Sequence, residues 1–166
     1  VAPSWHGDLQ LMLPGSAEVC RAVPCFAHWR GVVCYPGTVI STQAARDVLP
    51  AGVPRSVAIE YAGLLSRFVS ALYARNEAEA LASLRDVMAE PHRLALMPEL
   101  SGLRSQFMAA GIPHLGISGS GPTLFAVCTG DEQSQTAAAL FRSSYEKNSD
   151  AMTHICRVAE HGARAL

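Results

Sequence analysis

The fold is decided by the stretch GISGSGPTLFAVC, residues 116–128, which places three glycines and two serines within its first six positions. Glycine lets the backbone adopt positive φ and lie close to a ligand, and successive exposed N–H groups can form a nest that binds an anion. Pro122 cannot lie inside a helix, and the apolar run 123–128 is typical of a buried strand. The stretch therefore predicts a glycine-rich loop that enters a strand.

This order excludes two familiar phosphate-binding motifs. The P-loop and the dinucleotide fingerprint both need a glycine loop that opens a helix, and the P-loop also needs Gly-Lys-Ser/Thr. The only lysine, Lys147, lies far downstream. From the residues alone, two interpretations stay open: an anion-binding loop, or a tight turn between two strands that binds nothing.

Composition excludes several classes of protein. The 166 residues carry a formal charge of −1, with 49% hydrophobic and 16% charged residues. Without a basic run, nucleic acid is not the expected partner. No apolar window reaches the length of a membrane span, and no signal peptide is expected. Five cysteines without a Cys-x-x-Cys pair predict reduced thiols of a cytoplasmic protein, and the histidine spacing predicts no metal site.

The apolar pattern predicts alternating strands and helices. The predicted strands are 9–13, 29–35, 114–117, 123–128 and 153–158, and the predicted helices are 41–49, 56–75, 77–89, 98–110 and 131–147. Trp29, Tyr61 and Phe68 are expected in the core. The first strand has no evident partner, which suggests that the chain is a piece of a longer protein. Helix blocks between strands, followed by a strand-loop-strand pair, predict an α+β fold with an antiparallel sheet and helices on one face.

The chain resembles the GHMP kinases, a family of small-molecule kinases. Residues 116–127 resemble the third motif of that family, and within it the match is closest to the homoserine kinases. The other matching segments are Val1-Ala2-Pro3, Tyr35-Pro36-Gly37, Ser41-Thr42 with Ala45-Arg46, Leu49-Pro50, 86–93 and 154–157.

The resemblance implies a ferredoxin-like C-terminal domain over residues 25–166, preceded in 1–24 by the end of a truncated N-terminal domain. It also implies ATP-dependent phosphorylation of the hydroxyl of L-homoserine, in threonine biosynthesis. The family's phosphate loop, Pro-x-x-x-Gly-Leu-Gly-Ser-Ser-Ala, does not occur in this chain. We therefore expect the ligands of Mg²⁺ in the absent N-terminal part, and we expect the 166 residues alone to be inactive. No residue here is expected to be a general base, since phosphoryl transfer depends mainly on positioning and electrostatics.

The resemblance also places a substrate site. Thr42 and Arg46 lie one turn apart on a helix and so share a face; with Arg93 they are expected to bind the carboxylate of homoserine, which a guanidinium binds well. Two other interpretations compete: a solvated helix arginine for Arg46, and an ion pair with Glu90 for Arg93.

The loop contributes to the same predicted site. Gly116 and Ile117 are expected to bind substrate, and Ser118, Gly119, Ser120 and Gly121 are expected to support the ATP phosphate loop. ATP and homoserine are the expected small-molecule partners, and a homodimer is possible. Two alternatives are kept: another GHMP kinase, and a ferredoxin-like regulatory domain without catalysis.

Overall fold

A computed structural model describes residues 2–12 and 20–164 of the chain. Its strands are β1 (Leu9–Met12), β2 (Cys20–Val23), β3 (Arg30–Tyr35), β4 (Leu115–Ile117), β5 (Leu124–Cys128) and β6 (Met152–Cys156). Its helices are α1 (Ala2–His6), α2 (Thr42–Asp47), α3 (Arg55–Tyr73), α4 (Glu77–Ala82), α5 (Glu90–Arg93), α6 (Leu100–Ala109) and α7 (Asp131–Ser144), with a 3-10 helix at Leu94–Leu96. None of the described helices is both long and apolar enough to cross a membrane.

The centre of the fold is a four-stranded sheet in the order β4-β5-β3-β6. Every neighbouring pair is antiparallel, with Val33 opposite Phe125 on β5 and opposite His154 on β6. β4 and β5 form a hairpin, and the residues 118–123 that connect them are here called the glycine-serine loop. The predicted α+β fold with an antiparallel sheet is confirmed.

The main core covers one face of this sheet. Residues of β3 and β5 alternate between buried and half-buried, as expected of strands whose side chains point to opposite faces. The buried side chains of the two strands pack against buried side chains of α6 and α7. This core includes Val32, Cys34, Leu124, Ala126 and Cys128 from the strands and Leu103, Phe107, Ala137, Ala138 and Phe141 from the helices. This apolar layer holds the hairpin, and therefore the glycine-serine loop, in a fixed place.

A second, smaller cluster packs α3 and α4 near the other side of β5. Trp29 is buried here with Leu72 and Leu81, and the half-buried Phe68 and Val127 pack against them. Trp29 and Phe68 therefore belong to a core as predicted. Tyr61 does not, because it is 43% exposed on α3.

The N-terminal segment forms a separate two-stranded sheet. β1 pairs with β2 in antiparallel register, Leu9 opposite Val23, so the expectation that the first strand lacks a partner was wrong. β2 had not been predicted, and Leu13, the last residue of the predicted strand, lies outside the described residues. The amide of Asp8 donates to the carbonyl of Ala159 over 2.7 Å, which ties this segment to the C-terminal one.

One predicted helix is shorter than its apolar pattern suggests. The helix predicted over 77–89 ends at Ala82. The carboxylate of Asp86 then accepts hydrogen bonds from the amides of Met88, Ala89 and Glu90, over 2.8–3.1 Å. Aspartate competes with helical hydrogen bonding in this way, so the chain turns and begins α5 instead.

Candidate functional site

The glycine-serine loop is a closed hairpin turn. The amide of Ser118 donates to the carbonyl of Thr123 over 2.8 Å, and the amide of Gly121 donates to the carbonyl of Ser118 over 3.1 Å. Gly119 and Gly121 have φ of +62° and +79°, a region that other residues enter at a cost. Among the described residues, the amides of Gly119 and Ser120 have no acceptor. The tip of the loop therefore offers two backbone donors to an anion.

Arg93 connects this loop to α2. Its Nη1 donates to the carbonyl of Gly119 over 2.8 Å, and its Nε donates to the carbonyl of Ala45 over 3.3 Å. The second terminal nitrogen has no acceptor in the described part of the chain. Glu90 pairs with Arg104 rather than with Arg93, so the competing ion-pair interpretation was wrong. Arg93 therefore links the loop to α2 through two hydrogen bonds, and its second terminal nitrogen can still donate to a ligand.

Helix α2 carries the other two predicted binding residues. It begins after Ser41, whose hydroxyl accepts the amide of Ala44 over 3.0 Å, a common N-cap arrangement. Thr42 and Arg46 are exposed one turn apart, while Ala45 between them is fully buried. Among the described residues Arg46 makes neither an ion pair nor a hydrogen bond. Its guanidinium is therefore available to a ligand, although no hydrogen bond among the described residues joins it or Thr42 to the loop.

Asp86 helps to position Arg93, a role that the apolar pattern of the sequence does not indicate. By accepting the amides at the start of α5, it fixes the short helix that ends at Arg93. The signal was present, since an Asp side chain commonly accepts the amide two residues on and so begins a turn. The helix predicted over 77–89 instead runs through Asp86.

A groove of about 1130 Å³ lies on the other side of the hairpin. Mostly apolar residues of α3 and α4 form one wall, and β4 and β5 form the other. Gly116 and Ile117 line this groove, whereas Arg93 and residues 118–121 do not. The structure thus divides the predicted site residues: Arg93 and Gly119 are in contact on one side, Gly116 lies at the groove, and the side chain of Ile117 packs against the main core.

Gly116 has a packing requirement of its own. A Cβ atom at this position would lie 2.9 Å from the ring of Phe125, its cross-strand neighbour. Glycine is therefore needed here for close packing, whether or not the position contacts a substrate.

Burial changes the ionisation of several groups. It raises the pKa of Glu90, although the charge of the nearby Arg104 opposes that shift. Burial also lowers the pKa of His114 in the groove and raises the pKa of the Cys128 thiol to about 11. The described cysteines 25, 34, 128 and 156 are free, and the raised pKa values of all four keep them as thiols at neutral pH.

The described residues do not supply a metal site. No group of three or more histidine, cysteine, aspartate or glutamate side chains in residues 2–12 and 20–164 could hold an ion. The donors that are present, two loop amides and two arginines, suit phosphate and carboxylate groups instead.

The fold is shared with known proteins. Residues 68–147, from α3 to just beyond α7, match the family described as the C-terminal domain of GHMP kinases. The structure of a homoserine kinase from Cytophaga hutchinsonii is 25% identical and superposes with a TM-score of 0.87, over 98% of this chain and 52% of that protein. A candidate homoserine kinase from Listeria monocytogenes is 18% identical, with a TM-score of 0.66 and the same coverage.

Enzymes with other substrates share the fold. A mevalonate kinase from L. major, solved with R-mevalonate, is 15% identical with a TM-score of 0.58, over 84% of this chain and 46% of that protein. The chain thus spans about half the length of the solved structures that it matches. Residues 68–147 are thus similar to the C-terminal domain of GHMP kinases, and nearly the whole chain shares the fold of about half of such an enzyme.

Proposed function

We propose that the protein carrying this chain transfers the γ-phosphate of ATP to the hydroxyl of L-homoserine. The observation that carries the proposal is the similarity to the homoserine kinase of Cytophaga hutchinsonii, at a TM-score of 0.87 over 98% of the chain. The mevalonate kinase superposes over less of the chain, with a TM-score of 0.58.

The two arginines fit an acceptor with a carboxylate. Homoserine is zwitterionic at neutral pH, and a guanidinium binds carboxylates through charge-assisted hydrogen bonds. Arg46 has its guanidinium available, while Arg93 already donates to two carbonyls. We therefore assign Arg46 as the main carboxylate donor, with Thr42 on the same helical face and Arg93 adding its second terminal nitrogen.

The glycine-serine loop fits a role beside phosphate. Its available amides at Gly119 and Ser120 resemble the backbone nests that hold anions. Phosphoryl transfer depends on such positioned donors more than on a general base. Ser118–Gly121 support the bound phosphates, and Ile117, whose side chain lies beside Gly121, borders the acceptor. Gly116, predicted to bind substrate as well, lies at the groove away from the arginines and acts here through its packing on Phe125. Mg²⁺, which neutralises charge on the phosphates in such reactions, would be held by residues outside the described ones.

A second candidate acceptor is mevalonate, because it also carries both a carboxylate and a hydroxyl. The L. major enzyme was solved with R-mevalonate, and arginines alone do not distinguish the two acids. The α-ammonium group of homoserine does distinguish them.

The experiment is a coupled ADP-release assay with ATP and Mg²⁺ on the full-length protein that carries this chain. The acceptors compared are L-homoserine, R-mevalonate and 4-hydroxybutyrate, which is homoserine without the amino group. We expect the largest kcat/KM with L-homoserine. A larger kcat/KM with R-mevalonate would select the second candidate, and no turnover with any acceptor would favour the regulatory-domain alternative.

A further inference from the structure

A buried tyrosine lies directly under the glycine-serine loop. Tyr145 follows α7, is 2% exposed, and donates its phenolic hydrogen to the carbonyl of Pro122 over 2.6 Å. Pro122 is itself buried and comes two residues before β5 begins. A hydrogen bond between buried partners resists replacement by water, because breaking it leaves polar atoms unsatisfied.

The phenol stays a donor over the whole neutral range. Burial raises the pKa of Tyr145 well above its ordinary value, and the charges of Glu99 and Cys34 add to that shift. The hydroxyl therefore keeps its proton, and the Pro122 carbonyl keeps its partner.

The loop is held at both ends. Arg93 binds the carbonyl of Gly119 on one side, and Tyr145 binds that of Pro122 on the other. Between them Gly121 lies close over Met97, since a Cβ atom there would be 3.2 Å from the methionine sulfur. The two hydrogen bonds enclose a short backbone segment that includes the available amide of Ser120, and the available amide of Gly119 lies immediately before it.

We infer that Tyr145 is a positioning residue, whose hydroxyl fixes the glycine-serine loop so that its available amides point toward the transferred phosphate. Loss of the hydroxyl removes one of the two anchors while leaving the aromatic ring in the core. The catalytic part of this inference rests on the proposed function, whereas the ordering of the loop does not.

The test is Tyr145→Phe in the full coded protein, with two readouts. Hydrogen exchange of the peptide spanning residues 116–124 reports on loop order and needs no activity. We expect its amides to exchange about 5- to 30-fold faster, the range that corresponds to one lost hydrogen bond between buried groups. We expect kcat to fall by a similar factor while the acceptor KM stays within about twofold.

Two control variants separate this effect from general destabilisation. Tyr73→Phe removes a hydroxyl from a tyrosine that is 61% exposed, and it should change neither readout. Phe141→Leu weakens the core next to Tyr145, 6.3 Å away between ring centres, but leaves the hydroxyl in place. It should lower the melting temperature without a selective change in loop exchange or in kcat at the assay temperature.

Each outcome decides one part of the inference. Faster loop exchange together with lower kcat in Tyr145→Phe alone supports it. Unchanged loop exchange overturns the anchoring, and faster exchange with unchanged kcat overturns the catalytic role. If Tyr145→Phe folds poorly at the assay temperature, both readouts are taken for it and for wild type at a lower temperature at which it is folded, because the variant still lacks the bond to Pro122. A wild-type protein without activity contradicts the proposed function, while the exchange data still decide whether the loop is anchored.

Discussion

Replacing Arg93 with alanine should destabilise the protein, whereas replacing Arg46 should not. Arg93 joins two chain segments far apart in sequence through the carbonyls of Ala45 and Gly119. The 2.8 Å bond to Gly119 has good geometry, but it is exposed, and the 3.3 Å bond to Ala45 is half-buried and long. A hydrogen bond from a charged group contributes about 1.5–3 kcal/mol at best. With exposure and length taken into account, the two bonds together should contribute about 1–2 kcal/mol.

The assay is urea unfolding of the full coded protein and its variants. We expect Arg93→Ala to lower the free energy of unfolding by about 1–2 kcal/mol, and Arg46→Ala to change it by less than about 0.5 kcal/mol, as for most surface substitutions. Arg93→Lys should recover at most the Gly119 bond, because one ammonium group does not reproduce the guanidinium fork. Equal stability of Arg93→Ala and Arg46→Ala would refute the view that Arg93 ties α2 to the loop.

Three further predictions concern Gly116 and Glu90 at the groove and Glu99 beside Lys147. Gly116→Ala should lower the free energy of unfolding by about 1–3 kcal/mol, because the new Cβ atom would lie 2.9 Å from the ring of Phe125. The control is Gly52→Ala in the same unfolding assay. It should have no such effect, because a Cβ atom at Gly52 has no neighbour within 4 Å. Glu90→Gln should gain stability relative to wild type as pH rises above about 4.5, since burial raises the folded-state pKa of Glu90 and its ionisation then costs stability. Glu99→Gln should lose stability relative to wild type as pH rises toward about 4.5, because burial raises the pKa of Glu99 but hydrogen bonds from Lys147 and the backbone, with the Lys147 charge, outweigh it and lower that pKa, so its ionisation adds stability. Equal pH slopes of the unfolding free energy for wild type and both variants would contradict both assignments.

Much of the fold follows from local patterns in the sequence. The apolar run 123–128 became β5, and the three- and four-residue spacing after Ser56 became α3. These segments are long or strongly apolar, so packing and propensity favour the same structure. The hairpin turn at the glycine-serine loop also follows, because its glycines adopt the positive φ that the turn requires.

Side-chain interactions with the backbone were harder to predict. The carboxylate of Asp86 accepts three backbone amides and so prevents the helix from continuing through 89. Hydrophobic periodicity does not detect such a polar interaction. β2 was missed because Cys20–Val23 is short and is stabilised by pairing with β1 rather than by its own pattern. Tyr145 was placed in a helix, but nothing in the local sequence indicates that its hydroxyl reaches Pro122, 23 positions away.

The binding role of the candidate site stays a prediction. The structure does bring two of its predicted residues, Arg93 and Gly119, into contact. Their contact is structural, however, and it leaves Arg46 as the arginine with its whole guanidinium available. Sequence spacing places residues on a helical face, but it does not show which polar groups are already satisfied by distant carbonyls.

The central claim is that the arginine of α2 receives the carboxylate of the acceptor. The most direct measurement is the pair of KM values, for L-homoserine and for ATP, of Arg46→Ala in the ADP-release assay on the full coded protein. Loss of a charge-assisted hydrogen bond should raise the KM for L-homoserine about 10- to 100-fold and leave the KM for ATP within about twofold. The control is Arg142→Ala, which removes an exposed arginine on α7 and should change neither KM. A raised KM for ATP with an unchanged KM for L-homoserine would contradict the claim.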